Sequence, residues 1–88
     1  MNARAETAIE REHRFAIGRD LESGRHYLSI PVSNRLCDYE EYYEIAKATH
    51  DAYPANLAEL IAFAERCRAR GNDHLLLFPP GSDRGVPG

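Results

Sequence analysis

The residues best equipped for chemistry lie in a stretch between positions 13 and 45 where apolar and polar side chains alternate. Glu41 stands two positions from both Tyr39 and Tyr43, so a strand projects all three to one face. The same alternation puts Arg19 on the face of Phe15 and Ile17, and His26 on the face of Leu28, Ile30 and Val32. An ionised carboxylate on an apolar strand face is costly unless it is paired. That makes Glu41 the candidate acid or base, with its pKa raised by burial. His26 and Tyr43 stand as its catalytic companions through hydrogen bonds, and Arg19 as an anion contact. The competing account leaves this end of the sheet wet, or pairs Glu41 with Arg19 or with an arginine of the helix downstream.

At the other end of the face, His13, Val32 and Cys37 form a row, and a thiol beside an imidazole suits a nucleophile with its base or half of a metal site. His50 and His74 stand isolated in the sequence, and there is no HExxH, CxxC or HxH spacing. The sequence therefore predicts no bound metal and no cofactor, with Cys37 a buried structural thiol and His13 at a rim. The tail around residues 79–85 has glycines without the GxGxxG or GxxxxGK[ST] pattern, so phosphate binding is not expected there. Tyrosines are concentrated where Tyr39, Tyr42 and Tyr43 flank Glu40 and Glu41, with Tyr27 facing them from the preceding strand. Tyrosine joins a large apolar body to a polar tip and is enriched at protein interfaces. Tyr27, Tyr39, Tyr42 and Arg19 are accordingly the predicted binding residues, and the interleaved acids favour a basic, arginine-bearing protein partner.

These side chains need a scaffold. Residues 21–24 form a four-residue loop ending at Gly24, where φ > 0 is required, and joining Asp20 to Arg25 sets Ile17 opposite Leu28 and Phe15 opposite Ile30. A tight turn at Asn34 and Arg35 would pair Ile30 with Tyr39, Leu28 with Glu41, His26 with Tyr43, Tyr27 with Tyr42 and Arg25 with Glu44; a longer loop with a bulge is the competing connection. Leu57, Leu60, Ile61, Ala64 and Cys67 lie on one helical stripe. Pro54 suits the helix's first turn and Gly71 with Asn72 its end. A separate short helix is expected over residues 46–52. Residues 74–78 either return as a fourth strand at a sheet edge or pair with the same run of a second subunit.

The predicted fold is thus a two-layer α+β domain. Three or four antiparallel strands in the order β-β-β-α-α, with room for a short C-terminal strand, carry one main amphipathic helix on one face. The domain spans residues 13–78, between a flexible N-terminal segment at 1–12 and a Pro/Gly-rich tail at 79–88. Length bounds the rest. Eighty-eight residues suffice for one domain. A chain so short buries only roughly 60% of its unfolded surface, which favours self-association. With 11 basic against 14 acidic residues and no basic block, nucleic acid is a poor electrostatic match. No apolar run approaches a membrane span, and the polar start predicts no secretory signal. The basic residues are ten Arg and one Lys beside twelve Ala, a bias expected of a GC-rich bacterial genome. Two cysteines 30 positions apart are expected as reduced thiols in a cytoplasmic protein. The function these features favour is a small non-enzymatic interaction module: a homodimeric accessory, immunity-type or regulatory subunit that binds another protein through its tyrosine-bearing sheet. The alternative is a small enzyme or ligand-binding domain centred on Glu41.

Overall fold

Alternating apolar residues in the middle of the chain can bury only one side of a sheet, and the structure meets that demand with a helix laid across it. The computed structural model describes residues 3–80 and 84–87. Strands β1 (Arg4–Glu10), β2 (Phe15–Asp20), β3 (His26–Ser33) and β4 (Asp38–Ile45) form an antiparallel sheet in sequential order. Helices α1 (Lys47–Asp51) and α2 (Leu57–Arg68) follow, then a 3-10 turn (Asp73–Leu75) and a two-residue strand β5 (Val86–Pro87). The result is a two-layer α+β domain. Leu60, Ala64 and Cys67 of α2 are buried against Phe15, Ile17, Leu28, Ile30, Val32, Tyr43 and Ile45, while Leu57 and Ile61 flank them half-buried.

The β2–β3 hairpin has the expected register, with Ile17 opposite Leu28. The Asp20 N–H donates to the Arg25 carbonyl at 2.7 Å, and Gly24 takes φ +76°. Asp20 secures the loop by accepting hydrogen bonds from the Ser23 hydroxyl at 2.6 Å and the Ser23 N–H at 3.0 Å.

The β3–β4 hairpin differs from the tight-turn expectation by two residues. Ser33 faces Asp38, and a four-residue loop separates them. In that loop the Asn34 side-chain oxygen accepts the N–H groups of Leu36 and Cys37, each at 2.8 Å. A two-residue turn would instead force Arg35 toward positive φ, where a side chain is strained. Because the slip is two residues, every side chain keeps its face. Its partner changes, however: Leu28 now meets Tyr43, Ile30 meets Glu41 and His26 meets Ile45.

The N-terminal segment expected to be flexible contains β1, paired to β2 along its whole length with a bulge between Glu6 and Ala8. Its pattern is concealed because Ala8 is the residue that packs on the core, while the apolar Ile9 points outward. Residues 74–78 do not form the fourth strand. Leu76 makes a single bridge to Tyr43, and the Leu77 N–H donates to the Tyr42 carbonyl at 2.8 Å, along the free edge of β4.

The tail expected to lack regular structure supplies β5, which pairs Val86 with Ser33 and Pro87 with Val32 where β2 has ended. Residues 81–83 and 88 of that tail lie outside the described residues. Pro54 sits in the turn before α2 rather than in its first turn. The helix stops where expected, but Arg70 (φ 65°), not Gly71, takes the left-handed conformation. The Gly71 N–H closes the end by donating to the Arg66 carbonyl at 2.8 Å. No helix among the described residues is long and apolar enough to cross a membrane.

Candidate functional site

Strand β4 places Glu41 between Tyr39 and Tyr43 on the helix-facing side, opposite Ile30, and the carboxylate is only 6% exposed. The tail brings Arg84 to it. Arg84 Nε donates to Glu41 Oε2 at 2.7 Å, and Nη2 donates to Oε1 at 3.0 Å. The Tyr43 hydroxyl donates to Oε1 at 2.7 Å. The outer side of the same guanidinium holds Asp73, with Nη1 to Oδ2 at 2.8 Å and Nη2 to Oδ1 at 3.0 Å. One arginine is thus shared by two carboxylates, each gripped through both oxygens.

Burial pushes the Glu41 carboxyl up, but the Arg84 and Tyr43 hydrogen bonds, with the charges of Arg84 and Arg70, outweigh it and leave the group below the usual glutamate range. This corrects the expected raised pKa. Glu41 is held as an ion, and its oxygens are occupied. Arg84's hydrogen bonds chiefly hold Asp73 below the aspartate range as well. Burial, followed by the bond to Glu41, drives Tyr43 far above the usual phenol range. Neither Glu41 nor Tyr43 is poised to exchange a proton near neutral pH. The sequence signal for Arg84 was slight: it is the single charged cation in a tail of Pro and Gly.

The four-residue constellation expected around Glu41 is divided. His26 and Arg19 are neighbours across β2 and β3, but His26 lies opposite Ile45, two rows from Ile30 and its partner Glu41. His26 instead meets His50 of α1, with ring centroids 4.6 Å apart. His50 is therefore not isolated. Its Nδ1 lies 2.8 Å from Asp51 Oδ1 and its Nε2 lies 2.8 Å from Thr7 Oγ1 at the β1 bulge. Lys47 Nζ donates to Asp51 Oδ2 at 2.7 Å. Desolvation and then the neighbouring His50 lower the His26 pKa. The bonds from Lys47 and His50 bring Asp51 down to about 2. Twenty-four positions separate His26 from His50, so no local spacing announced this group. The His13, Val32, Cys37 row does not form either. The wider loop puts Tyr39 beside Val32 in place of Cys37, and β5 puts Pro87 where His13 was expected. Cys37 is exposed.

On the outer face, Tyr27 and Tyr42 meet edge to face at 4.9 Å, and Phe78 joins Tyr42 at 5.9 Å. The two-residue slip makes Tyr27 and Tyr42 diagonal neighbours rather than direct partners. The Arg4 guanidinium covers the cluster, 4.4 Å from the Tyr42 ring centre and 5.4 Å from that of Phe78. Tyr27 is buried beneath this layer, and desolvation, then Tyr42 and Glu6, push its hydroxyl up to about 12. Phe78 remains 44% exposed. Tyr39 belongs elsewhere: it faces inward, and its hydroxyl accepts the Gly85 N–H at 2.7 Å, anchoring the tail. Of the predicted binding residues, Tyr27 and Tyr42 share one surface cluster, while Tyr39 and Arg19 do not join it. Arg25 and Glu44 approach to 4.0 Å on the same face. A concavity of about 370 Å³ also opens there, with Ile9, Ala16, Ser29 and Pro31 in its lining and Glu6 and Glu40 beside them.

Compared with known protein families, curated proteins and solved structures, the chain matches none.

Proposed function

We propose that the protein is a small non-enzymatic interaction module of the cytoplasm, acting as a homodimeric accessory, immunity-type or regulatory subunit that engages a protein partner through the outer face of its sheet. The observation that carries this reading is the cluster of Tyr27, Tyr42 and Phe78 under Arg4, built on the side of the sheet opposite the helix. Aromatic and arginine side chains are the residue types that dominate interface energetics. The exposed edge of Phe78, with Ile9 at 47% exposure on the same sheet face, leaves apolar surface that a second chain would remove from water. The enzymatic alternative required a carboxylate available for proton transfer, and the three hydrogen bonds on Glu41 argue against it.

Sedimentation at micromolar concentration tests the proposal. The expected species has about twice the 9.9 kDa chain mass, and Phe78→Asp returns it to the monomer. A wild-type protein that sediments only near 9.9 kDa removes the homodimer. A Phe78→Asp protein that stays dimeric removes this face as its interface.

A further inference from the structure

We propose that His26, His50 and Asp51 form a binding site for a divalent metal ion of the zinc class, with two imidazoles and one carboxylate as ligands and the fourth position open to solvent. One ligand atom from each residue lies within 4.8 Å of the others. Tetrahedral zinc with bonds of about 2.0–2.2 Å holds its ligand atoms about 3.3–3.5 Å apart. Closing the set around an ion therefore needs the ligand atoms to approach one another by at most about 1.5 Å. The donor chemistry matches as well. Imidazole with carboxylate suits zinc and its neighbours in the first transition row, whereas calcium and magnesium favour all-oxygen sites.

The surroundings of these side chains resemble the outer support of a ligand set. His50 points Nδ1 at Asp51 Oδ1 and leaves Nε2 against the Thr7 hydroxyl at 2.8 Å. With Nδ1 as the metal-binding atom, Nε2 carries the proton and donates it to Thr7, which orients the ring. Lys47 holds Asp51 Oδ2 at 2.7 Å and fixes the carboxylate's orientation, while Oδ1, now paired with His50 Nδ1 at 2.8 Å, is the oxygen that would turn to the ion. The His50 side chain is only 14% exposed and Asp51 is 48% exposed, so an ion reaches the site past the aspartate. The β1 bulge has a place in this arrangement, since Thr7 lies at the register shift between Glu6 and Ala8. Three elements converge on the site: β3 supplies His26, α1 supplies His50 and Asp51, and β1 supplies the support.

Metal binding here is independent of self-association through the opposite sheet face, and calorimetric titration of the full chain with zinc chloride near neutral pH tests it. The expected result is saturation at one zinc per chain. His26→Ala and His50→Ala should each weaken binding by at least about tenfold, and His74→Ala should leave it unchanged. Absence of saturable binding up to about 1 mM zinc, or equal binding by the His26→Ala and His50→Ala proteins, overturns the proposal. Imidazole nitrogen resonances of the wild-type chain give a readout that does not depend on any variant folding. Zinc should move those of His26 and His50. Movement confined to His13 and His74 overturns the assignment.

Discussion

Arg84 and Glu41 meet with their side chains 14% and 6% exposed, and a charge pair this deep is more costly to break than valuable to possess. Removing one partner leaves an uncompensated buried ion, a loss of about 3–5 kcal/mol, whereas replacing both with apolar residues is often neutral. Arg84→Met should therefore lower the free energy of urea unfolding by about 3–5 kcal/mol. Glu41→Gln should lower it less, because the amide oxygen still accepts from Tyr43. The double change Arg84→Met with Glu41→Leu should recover most of the loss. If Arg84→Met unfolds at the wild-type urea concentration, the pair does not hold the tail to the domain. The arrangement also explains why Arg70 occupies a left-handed backbone position that glycine would fill without strain. Its Nη2 donates to the Gly85 carbonyl at 3.0 Å, a second anchor for the same tail.

Among the elements, the sheet is shaped by close approaches as much as by apolar pattern. Gly18 of β2 lies opposite Tyr27 and Glu6, and a Cβ there would collide with the Tyr27 hydroxyl and the Ala5 carbonyl. The outer aromatic cluster rests on this gap, since Tyr27 lies across Gly18 before meeting Tyr42. Gly18→Ala should destabilise the fold by about 1–3 kcal/mol, and the near-ultraviolet tyrosine circular dichroism should change with it. A protein as stable as wild type, with the same tyrosine signal, would show that Tyr27 does not occupy this position. The approach to β5 obeys the same rule, because a Cβ on Gly85, the residue before it, would meet the Ser33 carbonyl. The helix layer is governed differently. Its buried face of Leu60, Ala64 and Cys67 follows directly from the helical repeat, and its end is tied to the sheet by Arg68, whose Nη2 donates to the carbonyls of His13 and Arg14, each at 2.7 Å.

For the molecule as a whole, carboxylates that fold into favourable partnerships make stability depend on acid. Asp20, Glu41, Asp51 and Asp73 are all held below their ordinary values. A folded-state pKa below the unfolded one adds stability that is complete above the unfolded pKa and is lost as pH falls through the folded pKa. The unfolded references are 4.5 for Glu41 and 3.8 for Asp73. The thermal unfolding temperature should therefore decline gently as pH falls through about 6.5, where His26 takes up a proton more readily in the unfolded chain, and fall steeply below about pH 4.5. In Arg84→Met the acid limb should be shallower, because Glu41 and Asp73 no longer have the guanidinium to lose. An acid limb of unchanged slope would assign the dependence to Asp20 and Asp51 alone. Acidification should also free the tail, because the arginine that fastens it is held by the two carboxylates being protonated.

The α+β class, the main helix and its buried stripe, the β2–β3 register and the faces of β3 and β4 were all legible in the sequence. Each rests on a local period or a turn only a few residues long: Leu57 to Cys67 repeats at helical spacing, and Gly24 permits the turn that sets Ile17 against Leu28. Glu41 was legible as an anomaly for the same reason, because a charge at an inward strand position breaks the period. Its partner was not, since Arg84 lies 43 positions away and reaches Glu41 only after the chain has crossed the helix and turned at Asp73. The same limit hid His50 from His26 and Tyr39 from Gly85. It also hid β1, where a bulge and an alanine replace the apolar alternation that announces a strand. Local sequence determined which faces needed cover and which residues were out of place on them. Tertiary structure alone decided the partners, because the energy of a buried charge or ring depends on what arrives beside it from distant parts of the chain.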